Sequence, residues 1–148
     1  RMLLEDYESR NIRLQEVMGL IEGLVNQIPM AEKLLEIKGV GIKTVSGFLA
    51  EVGDIRRFND PKELQKLAGL ALLFEVAMSL VAKNPEFREL HNYYTTRRLN
   101  PLKKMQSLMA IAAKLLRVFY AILTKGVGYD PKKMVNDIRR PAAYAQAA

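Results

Sequence analysis

The stretch Ile37-Lys38-Gly39-Val40-Gly41-Ile42-Lys43-Thr44 decides how this chain is read. It joins an apolar helix end to a Gly-x-Gly turn and then to a new helix that opens on Lys43 and Thr44. Glycine accepts a positive φ and places no side chain between the backbone and an approaching phosphate. The amides after Gly41 fall at a helix N-terminus, where free N–H groups and the helix dipole favour an anion. Lys38 and Lys43 flank the turn, and Thr44 adds a hydroxyl donor. This is the pattern of a helix-hairpin-helix, which grips a nucleic-acid backbone without reading its sequence. An ordinary αα-corner would use the same glycines, so the turn alone leaves both readings open.

Working outward, the chain reads as all-α. Residues 2–28 carry an apolar stripe at alternating spacings of three and four: Leu3, Tyr7, Leu14, Val17, Leu24 and Ile28, with Arg10 interrupting it and Ile21 between. That spacing predicts a long coiled-coil helix that pairs with a partner helix or with its own domain. Pro29 ends it, and a short helix over 30–37 leads into the glycine turn. A third helix is predicted over 42–52, closed by Gly53-Asp54. Asp60-Pro61-Lys62-Glu63 has the N-cap, first-position proline and third-position glutamate of a helix start. That helix is expected to stop at Gly69, and another spans about 72–83. Asn84-Pro85 and Asn100-Pro101 predict starts for helices over 85–98 and 101–125, the second ending at Gly126. Asp130-Pro131 opens a last short helix, and an alanine-rich tail follows from Pro141. No sustained alternation of apolar and polar residues, and no Asn-Gly hairpin signal, points to a strand. The expected organisation is a coiled-coil or dimerisation helix over 1–29, a helical domain over 30–130 and a tail over 131–148. The chain begins at Arg1 and is expected to be part of a longer protein.

Composition narrows the function. Cysteine is absent and His91 is the only histidine, so a disulfide framework, a thiolate metal site and a Ser-His-Asp triad are not expected. There is no uninterrupted run of 18 apolar residues of the kind a membrane span requires. The net charge of +7 is uneven: residues 1–87 hold 11 basic and 13 acidic side chains, whereas 88–140 hold 12 basic against three acidic. A basic half joined to a near-neutral half points to a polyanionic partner, nucleic acid first and an anionic membrane second.

A second basic constellation is Tyr93-Tyr94-Thr95-Thr96-Arg97-Arg98, with Lys103-Lys104 beyond the Asn-Pro step. Arginine and lysine neutralise phosphates, and tyrosine donates to phosphate oxygens or stacks on bases. The candidate nucleic-acid-binding residues are therefore Lys38, Gly39, Gly41, Lys43, Thr44, Tyr94, Arg97, Arg98, Lys103 and Lys104. One of Tyr93 and Tyr94 is expected buried and the other exposed. A tyrosine nucleophile would need surrounding Arg and His residues that are not assembled here. Glu51 and Asp54 read as capping and surface charge, and no converging carboxylates announce a metal site. Ser46, Ser79 and Ser107 read as structural.

The order of these segments resembles a known family. Leu35-Glu36-Ile37-Lys38-Gly39-Val40-Gly41, then Phe48-Leu49-Ala50-Glu51-Val52-Gly53-Asp54-Ile55, Arg57-Phe58 and Leu67-Ala68-Gly69-Leu70, is similar to the C-terminal domain of insertion-sequence-110-type transposases, grouped with types 116 and 902. Lys114-Leu115-Leu116-Arg117 and Tyr129-Asp130 fit as well, so the resemblance covers roughly 30–130, with the heptad helix before it. It implies a DNA recombinase for mobile-element insertion and excision, guided in characterised members by a structured RNA. It also implies a separate acidic domain using a divalent metal, a serine nucleophile in this domain, and a cytoplasmic, nucleoid-associated setting in a bacterium or archaeon, while the heptad stripe predicts homo-oligomers formed through residues 3–28. One departure matters. In the family a Gly-, Ser- and Arg/Lys-rich stretch bearing the nucleophile follows Ala-Gly-Leu, but here Ala68-Gly69-Leu70-Ala71-Leu72 runs directly into Leu73-Phe74-Glu75. No serine of this chain maps onto the nucleophile, and no cofactor is expected in it. The remaining alternatives are a helix-hairpin-helix module of a repair or replication factor and a coiled-coil interaction domain.

Overall fold

A computed structural model describes residues 2–67, 70–136 and 138. The expected stop at Gly69 and the alanine-rich tail lie outside these residues. Among the described residues eight α-helices follow in order: α1 (Met2–Val25), α2 (Ala31–Leu35), α3 (Ile42–Val52), α4 (Pro61–Leu67), α5 (Leu70–Lys83), α6 (Pro85–Thr96), α7 (Lys104–Lys125) and α8 (Pro131–Met134). A 3₁₀ turn at Ile55–Arg57, absent from the sequence reading, follows α3. No strand occurs among the described residues, so the all-α class holds.

α7 is the axis of the bundle. Ile111, Ala112, Leu115, Leu116, Phe119 and Ile122 repeat at helical spacing and are all buried. They meet Leu73, Ala77 and Leu80 of α5, Phe87 and Leu90 of α6, and Phe48 of α3 in one core. The Phe48 and Phe119 rings meet edge to face, with centroids 5.1 Å apart. By length and a mean hydropathy of 1.6, α7 would suit a membrane span. Its position at the centre of the core accounts for that apolarity.

Local signals set most boundaries. Asn84 caps α6, its Oδ1 accepting from the amides of Glu86 (3.1 Å) and Phe87 (3.3 Å), with Pro85 in the first turn. Asp130 caps α8 in the same manner, accepting from Lys132 N–H at 3.0 Å. Asp60 accepts from Lys62 N–H at 2.7 Å while Glu63 accepts from Asn59 N–H at 3.1 Å. Gly126 takes a left-handed φ of 63° after α7, where Lys33 Nζ donates to its carbonyl at 3.0 Å.

The Asn100-Pro101 start is corrected. Asn100 adopts φ 50°, a left-handed geometry that ends the preceding bend, and α7 opens only at Lys104. Its start is secured by Gln106, whose Oε1 accepts from Lys103 N–H at 2.9 Å. The leading helix is also shorter than its stripe, ending at Val25. Val25 is buried and Ile21 packs on the core, but Leu3, Tyr7, Leu14, Val17 and Leu24 stand at least half exposed. Arg10, the break in the stripe, pairs with Asp6 at 3.0 Å one turn earlier.

Candidate nucleic-acid interface

The glycine turn sits between α2 and α3, as its residue pattern requires. Gly39 takes φ 101°, and a Cβ there would lie 3.0 Å from Leu80 Cδ2 of α5. This glycine is required by conformation and by the close approach of α5. Gly41 differs: its φ of −114° is ordinary extended backbone, and nothing lies within 4 Å of the place a Cβ would occupy. Gly41 precedes α3 as its N-cap residue and supplies no side-chain cap; its carbonyl accepts from the amides of Thr44 (3.0 Å) and Val45 (3.1 Å). The space beside the first turn of α3 is open, with Lys38 and Lys43 exposed around it and Thr44 half-buried.

The turn is bolted to the rest of the bundle by Asn84. This side chain is only 1% exposed, and while its Oδ1 caps α6 its Nδ2 donates to Lys38 O at 3.0 Å. The sequence reading found the cap and missed this bridge. The signal for it was the combination of a polar side chain with apolar neighbours on both sides, Leu80-Val81 before and Phe87 after.

The second constellation lies at the other end of α6, a 12-residue helix and so about 18 Å away along its axis. The structure therefore gives two separate basic footholds and does not merge the ten candidates into one pocket. Arg97 lies over the Tyr94 ring, 5.6 Å from its centroid, and donates through Nε to Asn100 O at 2.8 Å. Arg98, Lys103 and Lys104 are exposed. Tyr93 and Tyr94 are both half-buried, with centroids 5.9 Å apart, which corrects the expectation of one buried and one exposed. Tyr94 packs against the core while its backbone carbonyl holds Leu102 N–H at 2.8 Å, so one residue serves both helices at the corner.

Two other polar features have structural roles. Ser107 is fully buried and its Oγ lies 2.8 Å from Nδ1 of His91, cross-bracing α6 to α7. Burial lowers the His91 pKa, helped by the positive charge of Lys104. Burial pushes the Tyr129 hydroxyl up to about 12, with the Glu86 carboxylate acting in the same direction. Among the described residues, no three acidic or histidine side chains converge on a common point.

An all-helical domain built on a glycine-turned helix pair, with basic footholds at both ends of α6, is the class that fold and surface define. Residues 31–72 match the family model described as Transposase IS116/IS110/IS902 family, so this segment is similar to an IS110/116/902-type transposase domain. The matched segment begins at α2, contains the glycine turn, and ends at Leu72 within α5. There the sequence continues as one helix, α5, through Lys83. No curated protein and no solved structure matches this chain.

Proposed function

We propose that this chain is the nucleic-acid-gripping part of an insertion-sequence transposase, a protein that moves mobile-element DNA. The observation that carries the reading is the family match over 31–72, which contains a glycine turn that leads into an open helix start flanked by Lys38 and Lys43. A phosphate would rest on the first amides of α3, and the basic α6–α7 corner would track the backbone further along. Because both contacts are made to phosphates, affinity falls steeply with salt and depends little on sequence. Strand cleavage needs a nucleophile and a metal-holding acidic domain, which this reading assigns to parts of the transposase beyond these residues. Pairing of subunits through the exposed stripe of α1, and a guide RNA as a second ligand, belong to the same proposal.

The test is binding of a mixed-sequence 20-base-pair duplex by the purified chain, followed by fluorescence anisotropy at two salt concentrations. Lys38→Glu with Lys43→Glu is expected to weaken binding about tenfold or more for every sequence alike and to flatten the salt dependence. Unchanged affinity in that variant would remove the glycine turn from the interface.

A further inference from the structure

The outer face of α7 lines a groove of about 680 Å³. Its floor is made of small and apolar side chains, Ala110, Ala113, Val118 and Ala121, which recur at spacings of three to five and so share one face of the helix. Arg117 and Lys125 rise from the same face, and Lys133 faces them from α8. The rings of Tyr94 from α6 and Tyr129 from the α7–α8 connection close the sides. Asp130 is the one acid among the described residues lining the groove, and it is already committed. It caps α8 through Lys132 N–H and lies 3.9 Å from Lys133 Nζ.

A shallow apolar floor with aromatic sides and a cationic rim presents flat surface to bases and charge to phosphates. That combination suits a single strand, whose bases are free to stack. A duplex stacks its base faces on one another and has none to offer such a floor. The groove also continues beyond its own ends: Tyr94 lines it and at the same time carries the Arg97 guanidinium over its ring, 5.6 Å from the centroid. From Ala110 to Lys125 the rise of α7 is about 22 Å, long enough for several nucleotides in an extended strand.

The geometry points to a single-stranded nucleic-acid site in this groove, with Arg117, Lys125 and Lys133 on the phosphates and the alanine floor under the bases. It rests on the proposal that this chain binds nucleic acid, and it adds a strand-selective site distinct from the glycine turn. The signal in the sequence was Lys114, Arg117, Ala121 and Lys125 falling on one face of a helix whose opposite face is the core.

The experiment uses the whole chain with labelled twelve-nucleotide dT and rU oligomers, a twelve-base-pair duplex and thymidine monophosphate. Two variants are compared: Arg117→Glu with Lys125→Glu, which reverses charge, and Ala113→Trp, which fills the floor without changing charge. Helical content by circular dichroism confirms that both are folded. Each variant is expected to weaken binding of dT or rU oligomers about tenfold while changing duplex binding less than about threefold. The oligomer bound more tightly identifies which kind of strand the groove takes. Equal losses on strand and duplex, an unaffected Ala113→Trp, or monophosphate bound as tightly as the oligomers would each overturn the site. Duplex binding without strand binding overturns this inference alone. No binding of any probe overturns the nucleic-acid reading with it.

Discussion

Replacing Asn84 tests how the glycine turn is held. Its side chain makes three hydrogen bonds from a position 1% exposed: two amides of α6 donate to Oδ1, and Nδ2 donates to Lys38 O across 46 residues. Asn84→Ala removes the cap, worth about 1 kcal/mol. It also removes the bridge, worth about 1 kcal/mol, and strands a part-buried Lys38 carbonyl at a cost of about 1 kcal/mol more. The expected loss is about 3 kcal/mol, or a fall in Tm of roughly 9 °C for a chain of this size. Asn84→Ser keeps an oxygen for the cap but cannot reach Lys38, so its loss should be about 2 kcal/mol. Urea unfolding followed by circular dichroism measures both. If Asn84→Ala cost under about 1 kcal/mol, or if the serine variant were as damaging as the alanine, the argument for two separate roles would fail.

The two glycines of the turn should respond differently. Gly39→Ala meets both a positive φ and Leu80, and is expected to cost about 2 kcal/mol or more, whereas Gly41→Ala should stay within about 0.5 kcal/mol; equal costs in thermal melts would refute the distinction. Phe119→Ala empties the centre of the core beside Phe48 and should cost about 4 kcal/mol by urea unfolding; a loss below about 2 kcal/mol would place the core elsewhere. His91 gives a pH dependence. Its folded pKa is lowered by burial and by Lys104, so the unfolded chain takes up the proton first. The stability it contributes is full above about pH 6.5 and is lost as pH falls toward the lower folded value. Proton NMR of this single histidine should show a midpoint below about 6.5, and a midpoint at or above that value would contradict the geometry.

Where the sequence reading succeeded, the physics was local. Asn84-Pro85 and Asp130-Pro131 start helices because the capping oxygen, the proline and the amides they serve lie within three residues of one another. Gly126 ends α7 for a similarly local reason, since only its own φ is at issue. Asn100-Pro101 carries the same local signal and fails. There α6 and α7 meet at a corner tied by Leu102 N–H to Tyr94 O and Arg97 Nε to Asn100 O, and those bonds fix the backbone before any cap can form. The candidate site divides along the same line. Lys38, Lys43, Arg98, Lys103 and Lys104 were legible as exposed cations, but their separation by the length of α6 was not.

By itself, the sequence determined that this protein is helical, where most helices begin and end, and that its second half is basic, because caps, turns and periodicity act over three or four residues; the order of its segments over roughly 30–130 also showed the resemblance to a transposase family. The tertiary structure alone decided that Gly39 must admit Leu80, that Asn84 bolts the turn to α6, that Ser107 meets His91, and that α7 turns one face to the core and the other to a cation-rimmed groove. Those contacts join residues from 16 to 46 positions apart or set helices side by side, and only packing chooses among the partners that distance allows.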